Sequence, residues 1–204
     1  MTVSSLVQTS AGRFTVSFEG GEEIKSTLNV VTDFRLFSGK ELEGEELSEF
    51  RKESSRALTR ERALEVLSRR PLISRRELGD KLKHSGLEEA ACEDCLDWLS
   101  ERGFLNEAEY AAAVVRHYGA KGYGKGRIIQ EFSKRGIPRD YWEEALSALP
   151  EGDSGLESYI SRHLTDPTDR NQVRKVSAAL FRRGFSTEQI KTALERFSAD
   201  TEDY

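Results

Sequence analysis

The chain has 204 residues, 37% hydrophobic and 33% charged, enough for one or two domains with a buried core and strongly polar outer helix faces. No apolar run approaches the ~20 residues that cross a bilayer, and the start Met1-Thr2-Val3-Ser4-Ser5 lacks the basic and apolar segments of a secretory signal, so a cytoplasmic location is expected. The net charge of −5 argues against a simple nucleic-acid binder, and two cysteines cannot build a disulfide framework.

Residues 1–12 are small and polar and are expected to fray. Phe14, Val16 and Phe18 then alternate with polar residues, and Glu19-Gly20-Gly21-Glu22 supplies a turn. Ile24, Leu28 and Val30 continue the period of two, which predicts a β-hairpin, the only strand signal in the chain. A short amphipathic stretch follows at 32–37 and ends at Gly39. From about Glu45 the pattern is helical, with nine helices predicted between roughly 54 and 197.

Ser74-Arg75-Arg76-Glu77 and Ser186-Thr187-Glu188-Gln189 fit the capping box, and Asn106-Glu107-Ala108-Glu109 is an Asn-led variant. Gly86, Gly103, Gly136 and Gly184 each follow a periodic apolar stretch, where a helix ends in the left-handed region. Pro71, Pro138 and Pro167 fall between helices.

Aligned on Gly86, Gly136 and Gly184, the helical body repeats at about 50 residues. Eight before each glycine stand Leu78, Ile128 and Val176; four before, Leu82, Phe132 and Leu180. One after come Leu87, Ile137 and Phe185; ten after, Leu96, Leu146 and Leu194. Four matched apolar positions per copy predict a mainly α protein: tandem three-helix repeats forming an elongated curved array, with a small N-terminal β-hairpin. The expected division is an extension at 1–50, repeats at 54–102, 103–150 and 151–198, and an acidic tail at 199–204.

Cys92-Glu93-Asp94-Cys95 has metal or redox spacing, but the alignment places Cys92 with Trp142 and Ile190, and Cys95 with Ala145 and Ala193. Both thiols are therefore expected in a helical core, and no metal site is expected. His84, His117 and His163 are isolated, with no Ser or Cys nucleophile in a recognisable elbow, so neither a catalytic constellation nor a cofactor is expected.

Acidity is concentrated at the ends of the chain. Residues 1–50 carry four Lys/Arg against nine Asp/Glu, whereas the remainder is balanced. Lys121-Gly122-Tyr123-Gly124-Lys125-Gly126-Arg127 is neither a Walker A loop nor a dinucleotide fingerprint. Its three cations, its neighbouring aromatics Tyr118 and Tyr123, and free amides at a helix start would suit a phosphate or carboxylate; otherwise it is a flexible connection. Arg127 with Lys134, and Lys175 with Arg182, share helix faces two turns apart, and Arg135 and Arg183 each precede a glycine. Together with Arg116, Lys121, Lys125 and Arg174, they form the candidate binding set. Cations in a last helical turn also complement the macrodipole, which makes Arg127 and Lys175, near helix starts, the sharper candidates.

Gly103-Phe104-Leu105-Asn106-Glu107-Ala108-Glu109-Tyr110-Ala111, the segment from Gly126 to Ile137 and the segment from Lys175 to Ser186 resemble, in order and spacing, the RecX family of recombinase regulators. The resemblance covers about 54–197. It departs from the family's common acidic pair at Asn106-Glu107 and from its Phe at Tyr110, changes that keep capping and packing. It implies a monomeric, non-enzymatic regulator that binds the RecA recombinase filament on single-stranded DNA, with direct DNA contact as a further expectation. Such a protein would inhibit RecA's ATPase, strand-exchange and coprotease activities, and so bear on DNA repair, recombination and the SOS response. Three-helix units also house helix-turn-helix elements, so a DNA-binding transcriptional regulator is the alternative. That reading predicts one base-reading helix and dimerisation, whereas the basic residues here recur across copies.

Overall fold

Alternating Phe14, Val16 and Phe18 place one face of strand β2 (Arg13–Phe18) towards a core, as the hairpin reading expects. Its partner β3 (Glu23–Thr27) runs antiparallel, with Val16 opposite Ile24. A further strand, β1 (Val3–Ser10), pairs with the other edge of β2, Val3 opposite Phe18 and Leu6 opposite Val16. Residues 3–10 thus lie in a three-stranded sheet, contrary to the expected fraying. Register shifts between Val3 and Ser5 and between Gln8 and Ser10 break the period of two, which hides this strand from a pattern search. The computed structural model describes residues 1–149 and 154–202.

The second strand also ends earlier than expected. Thr27 stands at the N-cap position of helix α1 (Leu28–Asp33) without a side-chain capping bond, and Leu28 and Val30 belong to that helix. Adjacent Val30 and Val31 are both buried, a pairing that a helix packed against the sheet accommodates and a half-buried strand does not. Val3, Val16, Phe18, Val30, Val31, Leu42 and Phe50 form one core, with the Phe50 ring edge-on to Phe18 and Phe34 at centroid distances of 6.3 and 5.4 Å.

Phe50 comes from α2 (Gly44–Arg69), a 26-residue helix that begins where the helical pattern is expected to start, at about Glu45, and runs on past the expected start of the first repeat at 54. Its N-terminal half covers the sheet, where the buried hydroxyls of Ser26 and Ser54 meet at 2.8 Å. Its C-terminal half sends Ala63 and Leu67 into a second core with α3 (Arg75–His84) and α4 (Glu89–Glu101). One helix therefore serves both cores.

Helix α3 starts in the expected capping box: Glu77 N–H donates to Ser74 Oγ at 3.1 Å, and Ser74 N–H donates to Glu77 Oε2 at 3.4 Å. Such a cap contributes ~1 kcal/mol. Met1–Leu105 forms one compact unit and the chain from Asn106 a second.

The second unit holds α5 (Glu107–Ala120), α6 (Lys125–Arg135), a 3-10 turn over Arg139–Tyr141, α7 (Trp142–Ser147), α8 (Ser154–His163), α9 (Arg170–Arg182) and α10 (Thr187–Glu202). Asn106 caps α5 through its side chain, accepting from Glu109 N–H at 3.0 Å, and Ser186 and Gln189 form the reciprocal box before α10. Nine α-helices thus follow Gly44 among the described residues. The expected boundary at 150–151 lies outside the described residues. The expected tail is helical as far as Glu202, and its last two residues also lie outside.

Gly86, Gly103, Gly136 and Gly184 all adopt positive φ, from 67° to 93°. After three of them the chain folds back on the helix it left: Phe104 N–H donates to the Leu99 carbonyl at 2.9 Å, Ile137 N–H to the Phe132 carbonyl at 3.0 Å, and Phe185 N–H to the Leu180 carbonyl at 3.3 Å. The aligned apolar positions then enter separate cores, four per core. Leu78, Leu82, Leu87 and Leu96 pack in the first three-helix core; Ile128, Phe132, Ile137 and Leu146 in the second; Val176, Leu180, Phe185 and Leu194 in the third. Each fully buried side chain of this kind contributes ~1.5–3 kcal/mol.

Candidate functional site

Of the sequence features with chemical promise, the CxxC resolves first. Cys92 and Cys95 are buried in the first three-helix core beside Leu82, Leu96 and Leu99. Burial pushes both thiols up, Cys95 to about 11, the Arg60 charge offsetting it only in part. A thiol so placed is neither a nucleophile nor a ready ligand. No group of three or more metal-ligating side chains occurs among the described residues.

The glycine-rich loop is neither an open phosphate cradle nor a loose connection. Gly124 N–H donates to the Arg183 carbonyl at 2.9 Å, and Gly126 N–H to the Gly184 carbonyl at 2.9 Å. Two of the amides expected to be free are therefore taken by the loop after α9. The backbones meet so closely that a Cβ on Gly124 would lie 2.6 Å from the Gly184 oxygen, and one on Gly184 would collide with Arg127 N. Gly155 approaches Gly122 in the same way, its hypothetical Cβ 2.8 Å from Gly122 Cα. The glycines are needed because the second and third helical cores are joined backbone to backbone.

Arg183 locks this joint. Its Nη1 donates to the carbonyls of Lys121 and Gly122 at 3.2 and 3.3 Å, while the guanidinium stands over Tyr123 and Tyr159 at 5.0 and 4.7 Å. Both contacts favour an arginine over a lysine, because they use its planar fork and its face.

Arg127 and Arg135 converge on a carboxylate that the sequence reading did not single out. Glu131, 4% exposed, lies one turn from each; it pairs with Arg127 Nη2 at 2.9 Å and with Arg135 Nη1. Burial alone would raise the Glu131 pKa, but hydrogen bonds from Arg135 and Tyr118 and the two positive charges outweigh it and hold the carboxyl below its ordinary range. The i, i+4 spacing on both sides was the available signal.

The remaining candidates face water. Lys121 reaches His117 Nε2 at 2.9 Å. Arg116, Lys125, Lys134, Arg174, Lys175 and Arg182 are exposed and make no ion pair among the described residues. The structure thus sorts the ten cations into three with internal partners and seven displayed by α5, α6, α9 and the loop at 121. Arg174 and Arg182 also line one apolar groove between α9 and α10, beside Phe181, which is 62% exposed.

Two aromatic features escaped the sequence reading: Phe181, and Trp98 in the first unit. The Trp98 ring stacks on Phe104 at 6.1 Å and has Arg60 and Arg102 within 5.1 and 4.6 Å. Phe181 stands where the other copies have Lys83 and Ser133, a break in the repeat visible from the alignment.

No helix among the described residues is long and apolar enough to cross a membrane. The family model for the second three-helix domain of RecX matches residues 106–146. Regulatory protein RecX of Leptothrix cholodnii is 38% identical over 135 residues, 65% of this chain and 85% of that protein. Its counterpart from Xanthomonas axonopodis pv. citri is 38% identical over 137 residues, 65% and 83% of the two chains. A crystal structure of regulatory protein RecX, 23% identical, superposes with a TM-score of 0.70 over 96% of this chain and 98% of the other. That of RecX from Lactobacillus salivarius, 25% identical, gives 0.61 over 71% and 97%. With a relative of this identity covered over most of its length, the chain belongs to the RecX family of regulatory proteins.

Proposed function

We propose that the chain binds the RecA recombinase filament on single-stranded DNA as a monomer and restrains its ATPase, strand-exchange and coprotease activities. Membership of a family of regulatory proteins supports a regulatory role. The observation that carries the filament reading is the threefold recurrence of one helical unit, with matched residues in three separate cores. A filament repeats its surface from protomer to protomer. A binder with units at 54–102, 103–150 and 151–198 can match that repetition, so weak contacts add as avidity.

The exposed cations of α6 and α9 are proposed to meet acidic protomer surface or the DNA backbone. Lys125 and Lys175 are better probes of this than Arg127, because neither holds an internal carboxylate. The test is recombinase ATPase on single-stranded DNA with protein added to stoichiometry. Inhibition is expected, and its absence refutes the reading. Lys125→Glu with Lys175→Glu should weaken filament affinity about tenfold or more at low salt, since like-charge contacts replace favourable ones. Unchanged affinity would remove these cations from the interface.

A further inference from the structure

The same groove has opposite chemistry in the first and third copies. In the first, Lys83, three before the glycine, lies 2.8 Å from Glu89, three after it, and 3.6 Å from Glu93, seven after it. Arg75, eleven before the glycine, reaches Glu93 and Asp97 at 3.2 and 2.8 Å. Four ion pairs therefore tie α3 to α4 across their shared groove.

In the third copy the aligned residues are Phe181, Thr187, Lys191, Val173 and Glu195. No ion pair spans α9 and α10 among the described residues; Lys191 meets Glu195 at 3.8 Å along α10 itself. What remains is an open groove of about 1040 Å³ whose floor includes Val173, Phe181, Ile190 and Leu194. This is at the upper end of the ~300–1,000 Å³ typical of ligand sites. Arg174, Arg182 and Lys191 line it, with Glu195 as its one carboxylate among the described residues.

We propose that the α9–α10 groove docks an amphipathic helix from an acidic protein partner. The helix would seat its apolar stripe against Phe181 and Leu194 and direct carboxylates to Arg174, Arg182 and Lys191. Exposed aromatic surface in a concavity supplies the anchor of helix-in-groove recognition. Arg174 and Arg182, which make no ion pair among the described residues, select the sign of the partner, because a basic helix would face them without compensation. A lipid surface would favour a convex apolar face over this recess. The proposal does not depend on the recombinase reading, since its probe contains no recombinase.

The probe is a fluorescein-labelled peptide of about 16 residues, long enough to hold a helix, with Leu at i, i+4 and i+7 and Glu beside them. Fluorescence anisotropy with the full chain should show saturable binding, and a peptide with Lys for Glu should bind at least about tenfold more weakly. Phe181→Lys with Thr187→Glu, which installs the first copy's cross-groove pair, should weaken the acidic peptide about tenfold or more, and Arg182→Glu should weaken it in a salt-dependent manner. Ala178→Glu, at an exposed helix position lining the groove, should do the same if the double variant fails to fold.

No binding of the acidic peptide, equal binding of the two peptides, or binding unchanged in the variants would overturn the proposal. So would sedimentation showing a dimer that the Phe181 variant abolishes, which would assign the groove to a second copy. Flotation with lipid vesicles that depends on Phe181 would likewise assign it to a membrane.

Discussion

Gly124→Ala tests the joint between the second and third helical cores through the sign of its effect. Gly124 has φ −80°, a conformation open to any residue. Without a close neighbour, alanine there would stabilise the protein by ~0.4–1 kcal/mol, by restricting the unfolded chain. The structure instead puts the new Cβ 2.6 Å from the Gly184 oxygen and 2.9 Å from Phe185 N, well inside van der Waals contact with backbone that cannot swing away as a side chain would.

Relief requires separating the two segments, which strains or breaks the bonds from Gly124 N–H to Arg183 and from Gly126 N–H to Gly184. At ~1 kcal/mol per bond, and ~1–3 kcal/mol for a buried group left unpaired, the loss is about 2–4 kcal/mol. The net expectation is a destabilisation of about 2 kcal/mol, or roughly 10 °C in Tm for a unit of this size. Trp98 lies in the first unit and Trp142 in the second, so a Trp98→Phe background leaves one fluorescent reporter of the relevant transition. Urea unfolding followed at Trp142 should shift to lower midpoint in Gly124→Ala. An unchanged or raised midpoint would refute the close approach and the role given to the glycines.

Three further outcomes follow from the same geometry. Glu131→Gln should cost about 2 kcal/mol at pH 7, since it leaves Arg127 and Arg135 around a neutral group. Because the folded Glu131 pKa lies below its ordinary value of 4.5, its contribution is complete above that value and is lost as pH falls through the folded value. The stability gap between wild type and variant should therefore close below about pH 4.5 in acid titrations monitored by circular dichroism; a gap constant to pH 3 would contradict it. With Cys95 pushed up to about 11 and Cys92 also raised, iodoacetamide at pH 8 should modify neither thiol in the native protein and both in denaturant, as mass spectrometry would show. Leu82→Ala should destabilise the first three-helix core by ~2–5 kcal/mol, read from the Trp98 transition; a smaller loss would mean that the residue is not packed as its burial indicates.

Much of the helical body was legible because its signals are local. A serine three residues before a glutamate, and a glycine closing a periodic apolar run, specify helix ends through hydrogen bonds within a few residues. The repeat alignment carried further, assigning Cys92 and Cys95 to a core from sequence alone. The first strand was illegible because its bulges spoil the alternation on which strand recognition rests, and its partner lies beyond a turn.

The candidate site divided along the same line. Residue type and spacing were sufficient to name ten cations, but not to say which of them find internal partners. Pairing to Glu131 is a short-range event on one helix and could be inferred. The engagement of Arg183 with Lys121 and Gly122 joins segments some sixty residues apart.

The amino-acid order alone determined a mainly helical chain, its caps, its threefold recurrence and its family, since these depend on neighbours along the backbone and on periodicity. Only the tertiary structure decided that the glycine-rich loop is a joint, that α2 serves two cores, and that the α9–α10 groove is open and apolar where ion pairs bridge α3 and α4. Those properties arise where distant segments meet, and contact distance between them is not written in local pattern.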